Sequence, residues 1–440
     1  MFFSLRGIKV PHRKNTANIK PIRISVPEIV KIPMQMHIGK PSMPIVKAGD
    51  RVFVGTLIAE TDGYISVPIH SSVSGTVKKI ERISISNGTK CDAIVIESDG
   101  EMTPDPDICP PIINSRESLV SAIKSSGVVG LGGAGFPTHV KFSVDPDNVE
   151  ELIINGAECE PYITSDTRTM IDRLDDIGTA LWYIKKFFGI KKFIFGIEEN
   201  KPEAIASIKS LSETDNTITV KVLPSLYPQG GEKVLIYQTT GKVVPIGKLP
   251  IDVGSIVSNC TTIADIGRYI RSGMPLVEKC VTVDGSSVKN PQNVIVPIGT
   301  SIFDVFEFCG GFSEEPGKLL YGGPMMGIAI PSFSAPILKN TNAVLAFNKR
   351  DSALNEPQNC IRCGSCINTC PFGINPPALA KALSEHDVEA MLKLKAEACM
   401  ECGSCSFVCP ANRPLVQNHR FIKAEIREYR LRKNISGGNK

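Results

Sequence analysis

The residues most able to do chemistry are two runs of cysteines near the C-terminus. Each run follows the spacing C-x2-C-x2-C-x3-C-P: Cys360, Cys363, Cys366 and Cys370, then Cys399, Cys402, Cys405 and Cys409. Three thiolates on one short loop can wrap three corners of an iron–sulfur cubane. Structural zinc usually takes two separated cysteine pairs, and disulfides fit poorly in a chain without a secretory signal. The spacing therefore indicates iron–sulfur clusters.

This spacing resembles the ligand run of bacterial two-cluster ferredoxins, in which the fourth cysteine of each run ligates the other cluster. The resemblance implies two [4Fe–4S] clusters with crosswise ligation. One cluster takes Cys360, Cys363, Cys366 and Cys409, and the other takes Cys399, Cys402, Cys405 and Cys370. Each cluster carries single electrons, so we expect the rest of the chain to supply or accept them.

Length and composition limit the possible functions. A chain of 440 residues with 42% apolar residues predicts two to four domains with buried cores. The net charge of +4 is too small to argue for nucleic acid. No apolar stretch is long enough to span a bilayer, and the start Met1–Arg6 is charged too early for a signal peptide. We expect the six remaining cysteines to be reduced, in a reducing cytosol: Cys91, Cys109, Cys159, Cys260, Cys280 and Cys309.

A glycine-rich segment follows a predicted amphipathic helix at residues 115–125. It contains Gly130, Gly132, Gly133 and Gly135. The G-x-G-x-x-G pattern is weak as a dinucleotide fingerprint, because a helix rather than a strand precedes it. Its glycines can still turn backbone N–H groups toward a phosphate and let a flat ring approach, and Lys141 adds a positive charge. The alternative is a tight structural turn.

An alternation of strands and helices continues from residue 151 to residue 223. The first predicted strand, 151–155, is followed by polar residues up to Glu160, which is where open α/β sheets hold ligands. The helix predicted at 167–188 is continuous. A second glycine-containing loop, 227–233, opens another helix, whose N-terminus can bind an anion.

The flanking segments predict smaller modules. Residues 26–99 are similar to a biotinyl/lipoyl-type barrel-sandwich domain, but the turn Glu60–Tyr64 lacks the lysine that carries lipoate. The basic N-terminal arm is predicted as an extended strand over the body, with a binding arm as the alternative. Strands and a helix between residues 279 and 329 are similar to a soluble-ligand-binding β-grasp (SLBB) module. A basic helix at 416–433 is predicted to pack on the cluster domain, with acidic lipid head groups as the alternative.

Four segments together resemble a known flavoprotein. Residues 130–141, 155–161, 227–232 and 259–262 recur in that order in the flavin- and NADH-binding subunit of respiratory complex I. The family that adds an N-terminal sandwich and a C-terminal two-cluster domain is RnfC, one of the subunits of the Rnf complex, the ion-translocating ferredoxin:NAD oxidoreductase. The chain resembles this family over nearly its whole length.

The resemblance implies a multidomain α/β protein. Its parts are expected to be an N-terminal arm (1–25), a barrel-sandwich domain (26–100), a Rossmann-like FMN/NADH-binding domain (112–275), an SLBB β-grasp module (276–335), a helical two-[4Fe–4S] ferredoxin domain (350–415), and a basic C-terminal helix and tail (416–440).

The resemblance also implies the site residues. The expected FMN contacts are Gly130, Gly132, Gly133, Gly135, Lys141, Asn155, Glu158, Tyr227, Gly230, Asn259 and Thr262. Glu160 and Glu232 are expected beside the nicotinamide and are taken as the catalytic residues. The complex I pattern has an aspartate where Ala157 stands and a second glutamate where Gly231 stands. The dinucleotide contacts must therefore differ at these two points.

The implied function is exchange of hydride between NAD(H) and FMN, with single electrons passing through two [4Fe–4S] clusters, coupled to ion translocation. The implied partners are the membrane and ferredoxin-like subunits of the complex, and ferredoxin indirectly, with no nucleic acid. The implied location is peripheral, on the cytoplasmic face of the membrane. The alternatives are a cobalamin reductase of the propanediol-utilisation type, a subunit of an NADH-dependent hydrogenase or bifurcating enzyme, and a non-catalytic electron-relay scaffold.

Overall fold

The computed structural model describes residues 6–85 and 88–437, with side chains up to residue 433. Residues 1–5 of the predicted arm and 438–440 of the predicted tail lie outside the described residues. The first strand, β1 (Ile22–Arg23), joins a sheet formed much later in the chain.

The barrel-sandwich domain consists of two small antiparallel sheets that enclose an apolar core. Its strands are β2 (Ile29–Pro33), β3 (Met43–Pro44), β4 (Arg51–Val52), β5 (Leu57–Glu60), β6 (Ile69–His70), β7 (Gly75–Ser84) and β8 (Lys90–Ser98). The orders are β2-β8-β7-β4 and β3-β5-β6. Ile32, Ile58 and Ile94 are fully buried between the sheets, as the alternating pattern predicts.

The central domain is an α/β domain. Its elements are α1 (Arg116–Ser125), α2 (Thr138–Phe142), β9 (Glu151–Gly156), α3 (Ser165–Asp172), α4 (Leu174–Phe188), β10 (Phe193–Glu198), α5 (Pro202–Thr214), β11 (Ile218–Leu223), α6 (Glu232–Thr240), β12 (Ser255–Asn259) and α7 (Cys260–Ser272). The sheet is parallel, with strand order β11-β10-β9-β12. The chain builds outward from β9 to β11 and then crosses to place β12 on the other side of β9. This reversal opens a crevice at the carboxyl ends of β9 and β12.

The continuous helix predicted at 167–188 is wrong, because Arg173 divides it into α3 and α4. Arg173 leaves helical geometry, with φ −126° and ψ 37°. Its guanidinium donates to Asp265 on α7 at 2.9 Å and to Asp176 at 3.0 Å. A contact with a residue distant in sequence therefore accompanies the break, and the local pattern does not show it.

The β-grasp sheet extends beyond both ends of the predicted module. Its elements are β13 (Glu278–Asp284), β14 (Gln292–Pro297), α8 (Ile302–Phe308), β15 (Pro316–Tyr321), β16 (Ile328–Ala329) and β17 (Ala343–Asn348). The order is β1-β14-β13-β17-β15-β16, so the sheet includes β1 from the N-terminal arm and β17 beyond residue 335. Val281, Val294 and Phe306 are fully buried in its core.

The cluster domain is helical. It contains α9 (Ser365–Asn368), α10 (Pro376–Ser384), α11 (Val388–Lys393), α12 (Ser404–Phe407) and α13 (Leu415–Gly437). Ile422 and Ile426 of α13 are buried against Leu379 and Met391, which confirms that the basic helix packs on this domain. Among the described residues, no helix is long and apolar enough to cross a membrane.

The N-terminal arm is an extended strap that lies across the loops of the central domain. Ile8 exchanges two backbone hydrogen bonds with Tyr227, at 2.8 and 2.9 Å. The Lys14 ammonium donates to three carbonyl oxygens of one loop, those of Glu158 at 2.7 Å, Glu160 at 2.8 Å and Ile163 at 2.6 Å. All three of its N–H donors therefore hold the loop that follows β9.

Replacing Lys14 tests this strap. Lys14→Met keeps the length of the side chain but leaves three carbonyl groups without their donor. We expect the free energy of unfolding to fall by about 2 kcal/mol, since hydrogen bonds from a charged group contribute about 1.5–3 kcal/mol. Urea unfolding followed by circular dichroism measures the change, and hydrogen exchange over residues 158–168 locates it. Lys20→Met, at an exposed position of the same arm, is the control, and equal losses in both variants would contradict the role of Lys14.

Candidate electron-transfer site

The crevice between β9 and β12 brings predicted site residues together. Asn155 and Asn259 are paired in register at the carboxyl ends of the two strands. The Asn155 side chain donates to the carbonyl oxygen of Gly230 at 2.9 Å, which joins the second glycine loop to β9. The Asn259 side chain caps α7 by accepting from the N–H groups of Thr261 and Thr262. Segments about a hundred residues apart in sequence therefore meet at one edge of the sheet.

The glycine-rich loop closes one side of this crevice. Its ends are joined by backbone hydrogen bonds from Gly130 to Phe136, at 2.8 Å, and from Gly135 to Gly130, at 3.0 Å. The N–H of Leu131 donates to the hydroxyl of Thr262 at 2.9 Å. Gly133 has φ +121°, and a Cβ placed there would meet no atom within 4 Å. The loop therefore presents glycine backbone to open space, as expected for a surface that receives a phosphate or a flat ring.

Lys141 and Glu232 lie together at the same crevice. The Lys141 ammonium donates to the carbonyl oxygen of Val257 at 2.9 Å and lies 3.4 Å from the Glu232 carboxylate. Glu232 is the first residue of α6, and no side chain caps the N-terminus of that helix. The crevice thus combines a cation, an uncapped helix end and a partly exposed carboxylate, which suits an anionic ligand with a polar ring.

Glu158 orients the loop after β9. Its carboxylate accepts hydrogen bonds from the N–H of Asp166 at 2.7 Å and from the hydroxyl of Thr167 at 2.6 Å, at the start of α3. Its backbone has φ +44°, a conformation that non-glycine residues adopt only when their surroundings hold them there. Desolvation raises the pKa of Glu158 and lowers the pKa of Lys14. Its place in the flavin pocket stays a prediction.

Glu160 has different surroundings from Glu232. Its carboxylate accepts from the N–H groups of Met325 at 3.0 Å and Met326 at 2.7 Å, in the hairpin between β15 and β16. Desolvation raises the pKa of Glu160 to about 7. Glu160 therefore ties the central domain to the β-grasp sheet. The structure does not place the two predicted catalytic carboxylates in equivalent positions.

The eight cysteines of the two runs fall into the two predicted groups. A cavity of about 540 Å³ is lined by Cys360, Cys363, Cys366 and Cys409. A second, smaller cavity is lined by Cys370, Cys399, Cys402 and Cys405. Each fourth cysteine thus lies with the other run, as crosswise ligation requires. Within residues 6–85 and 88–437 no group of His, Cys, Asp or Glu is arranged to hold a single metal ion. The evidence that the cysteines can hold clusters is therefore their grouping around these two cavities.

The two cysteine loops share one backbone shape. In the first loop Arg362 and Gly364 have φ +57° and +78°, and in the second Glu401 and Gly403 have φ +60° and +80°. Left-handed residues on both sides of the second cysteine curve each loop around its cavity. Two loops with the same curvature and three cysteines each, completed by the fourth cysteine of the other run, fit two clusters of the same kind.

The two loops differ in what surrounds them. Loop 399–405 packs on the central domain: the Tyr227 hydroxyl donates to the carbonyl oxygen of Cys402 at 2.6 Å, and the Met400 side chain contacts Gly231. In loop 360–366, Cys360 and Cys363 are exposed, and the side chain of Ile361 is 68% exposed. The loop of the first cavity is therefore exposed, whereas the loop of the second packs against residues 227–231 of the central domain. The sequence did not predict this asymmetry, because both runs have the same spacing.

Family models match each of these parts. The RnfC barrel sandwich hybrid domain matches residues 3–101, the Nuo51 FMN-binding domain residues 123–268, the SLBB domain residues 280–329, and the 4Fe-4S dicluster domain residues 352–410. The fold and these matches define an iron–sulfur flavoprotein with an N-terminal barrel-sandwich domain. The predicted fold class is confirmed.

The curated relatives narrow this class further. The chain is 43% identical over 437 residues to the C subunit of the proton-translocating ferredoxin:NAD(+) oxidoreductase complex of Clostridium ljungdahlii, covering 97% of this chain and 95% of that protein. It is 41% identical over 435 residues to the C subunit of the Na(+)-translocating ferredoxin:NAD(+) oxidoreductase complex of Acetobacterium woodii, covering 97% and 98%. The chain belongs to the RnfC family of Rnf complex subunits, as the sequence predicts.

A third curated relative belongs to the same family, and a solved structure shares the fold. The C subunit of the ion-translocating oxidoreductase complex of Rhodobacter capsulatus is 38% identical over 440 residues, covering 98% of this chain and 85% of that protein. A chain of the NAD+-reducing [NiFe]-hydrogenase in the H2-reduced state superposes with a TM-score of 0.50 at 17% identity, over 71% of this chain and 63% of that chain. The latter likeness shows the fold alone. Membership in the RnfC family replaces the cobalamin reductase and hydrogenase alternatives.

Removing one fourth cysteine tests crosswise ligation. Cys409→Ala takes one ligand from the cavity of Cys360, Cys363 and Cys366, so we expect the cluster of that cavity to be damaged and the other to be retained. Electron paramagnetic resonance of the reduced variant, with iron and sulfide analysis, measures this. Cys370→Ala is the matched variant and should damage the other cluster. Selective loss of the opposite cluster in either variant would contradict the crosswise assignment.

Proposed function

We propose that this chain exchanges hydride between NAD(H) and FMN and passes single electrons through two [4Fe–4S] clusters, as one subunit of an Rnf complex that couples ferredoxin:NAD+ oxidoreduction to ion translocation. FMN, when bound, supplies the conversion between a two-electron hydride carrier and one-electron clusters. The observation that carries the proposal is the convergence of the glycine loop, Lys141, Glu232 and loop 399–405 around one crevice.

The crevice residues would hold the flavin and the dinucleotide. The backbone of Gly130, Gly132, Gly133 and Gly135 would face the flavin and its phosphate, with Lys141 as the cation beside them. Asn155, Glu158, Gly230, Asn259 and Thr262 would shape the rest of the pocket. Glu232 is partly exposed at the crevice, so we propose it as the carboxylate that orients the nicotinamide. Holding two rings face to face is the main requirement of hydride transfer, and it needs no dedicated acid or base.

The asymmetry of the cysteine loops assigns a place to each cluster. The set Cys370, Cys399, Cys402 and Cys405 lies toward the crevice and would exchange electrons with the flavin side. The set with the exposed Cys360 and Cys363 would exchange electrons with another subunit. The rim of that cavity carries the basic side chains of Arg362, Lys381 and Arg413. This charge favours an acidic iron–sulfur partner, such as the ferredoxin-like subunit of the complex.

The remaining partners and the location follow from family membership and the proposed substrate. The membrane subunits of the complex would hold this chain at the membrane, with reduced ferredoxin reaching it indirectly. NAD(H) is a cytoplasmic substrate, so we propose a peripheral position on the cytoplasmic face. The charge of the chain gives no support for nucleic acid as a partner.

A glycine substitution tests the flavin site. Gly133→Val places a side chain in the open space beside the glycine loop, where we propose that the flavin lies, so we expect FMN binding to weaken by more than about tenfold, or about 1.4 kcal/mol, while the iron content is unchanged. Flavin absorbance and fluorescence titration measure this. Gly49→Val is the matched control, because Gly49 also has positive φ (+94°) and open space, but at a turn of the barrel-sandwich domain. Full flavin binding by Gly133→Val would show that the loop is only structural.

Charge removal at the two carboxylates tests the dinucleotide site. Glu232→Gln keeps the shape but deletes the charge, so bleaching of the flavin by NADH should slow by about ten- to a hundredfold, equivalent to about 1.4 to 2.8 kcal/mol. Reduction by dithionite, which does not use the nicotinamide site, should be unchanged. Stopped-flow absorbance with both reductants on one anaerobic sample separates the two steps.

Glu160→Gln is the comparison for this experiment. If Glu160→Gln slows reduction of the flavin by NADH but not by dithionite, both carboxylates act on the dinucleotide, as the sequence predicts. If Glu160→Gln slows reduction by both reductants, the hydrogen bonds of Glu160 to Met325 and Met326 stabilise the fold rather than the dinucleotide site. No effect of Glu232→Gln would place NAD(H) on other residues. Wild-type protein purified anaerobically without flavin, but with both clusters, would favour the relay scaffold.

A further inference from the structure

Tyr227 links the central domain to the cysteine loop 399–405, although its sequence position predicts a flavin contact. The residue is 1% exposed. Its hydroxyl donates to the carbonyl oxygen of Cys402 at 2.6 Å. Its backbone N–H and carbonyl are both paired with Ile8, at 2.9 and 2.8 Å. The side chain is therefore fixed at the backbone by the strap and at the hydroxyl by the cysteine loop.

Tyr227 lies in a buried cluster of apolar side chains, with the Glu160 carboxylate and the Cys159 thiol also close enough to act on it electrostatically. Ile8, Val10 and Cys402 are buried with it, and Met325 and Met400 pack against this group. A hydrogen bond in such a water-poor contact is electrostatically stronger than one in water. Without the Tyr227 hydroxyl, the buried carbonyl oxygen of Cys402 would lose the hydrogen bond that takes the place of one to water. A buried acceptor left without a partner destabilises the folded state. The hydroxyl therefore determines how the peptide of Cys402 is oriented.

We propose that Tyr227 is a positioning residue for the cluster on Cys370, Cys399, Cys402 and Cys405, and that its hydroxyl tunes the reduction potential of that cluster. The O–H dipole places its positive end beside the cysteine loop, which favours the extra negative charge of a reduced cluster. Hydrogen bonds to the sulfurs and solvent exposure help to set the potential of a cluster, and outer partners that orient its ligands tune it further; the Tyr227 hydroxyl, bonded to the carbonyl of Cys402, is such an outer partner. The inference rests on the proposed cluster ligation, and it assigns Tyr227 to the cluster rather than to the flavin.

Tyr227→Phe tests this assignment, because it removes the hydroxyl and keeps the ring. The potentials of both clusters are measured by redox titration followed by electron paramagnetic resonance, with the Cys409→Ala variant used to tell the two signals apart. We expect the cluster of loop 399–405 to become harder to reduce, with a more negative potential. The other cluster and the FMN content should not change. Hydrogen exchange of residues 399–405 should be faster.

Tyr321→Phe is the matched control. The Tyr321 hydroxyl also donates to a carbonyl oxygen, that of Pro336, at 2.6 Å, but within the β-grasp module. This variant loses an equivalent hydrogen bond and should show no shift in either potential. Equal shifts in both variants would attribute the effect to general loss of stability.

Besides equal shifts in the two tyrosine variants, three outcomes would overturn the inference. The first is unchanged potentials in Tyr227→Phe. The second is loss of flavin with unchanged potentials, which would make Tyr227 a flavin contact. The third is an equal shift of both clusters. Wild-type protein that lacks two [4Fe–4S] signals would instead refute the proposed ligation itself, so the two failures are distinguishable.

Discussion

The reversal of strand order beside β9 is the constraint on which the rest of the structure depends. Because β10 and β12 lie on opposite sides of β9, the loops that leave the strands diverge and open a crevice at their carboxyl ends. Asn155 and Asn259 stand opposite each other there. The glycine loop, the start of α6 and the start of α7 then meet around the same opening. A parallel sheet without this reversal would not leave a crevice between these residues.

The N-terminal arm fixes the loops that the sheet brings together. Lys14 directs its three donors to the loop after β9, and Ile8 pairs with Tyr227 on the loop before α6. The arm then continues as β1 of the β-grasp sheet. Carbonyl groups that would otherwise need water are satisfied by a residue from far away in the chain. The shape of the crevice thus depends on residues that are remote from it in sequence.

Contact with the central domain distinguishes one cysteine loop from the other, although both loops have the same motif. The two loops have the same spacing and left-handed backbone at the same two positions. Loop 399–405 meets the central domain, where the Tyr227 hydroxyl donates to Cys402 and the Met400 side chain contacts Gly231, whereas Cys360 and Cys363 remain exposed. Identical ligand sets therefore acquire an inner and an outer position. The loop of the inner one packs against residues 227–231 of the central domain, and the loop of the outer one is exposed.

The sequence by itself determined the strand and helix patterns of the barrel-sandwich and parallel-sheet segments and the iron–sulfur spacing of the cysteines, because spacing and periodicity are local properties. Its resemblance to known proteins implied the family, the domain types and the crosswise grouping of the cysteines. The family resemblance also indicated the glycine loop and Lys141 as site residues. Tertiary structure alone decided the break at Arg173, the ties of Glu158 and Glu160 to α3 and to the β15–β16 hairpin, the role of Lys14, and the contact of Tyr227 with Cys402. Apart from the bonds of Glu158, whose partners lie eight and nine residues on, each of these depends on hydrogen bonds between segments distant in the chain, whose partners no local pattern reveals.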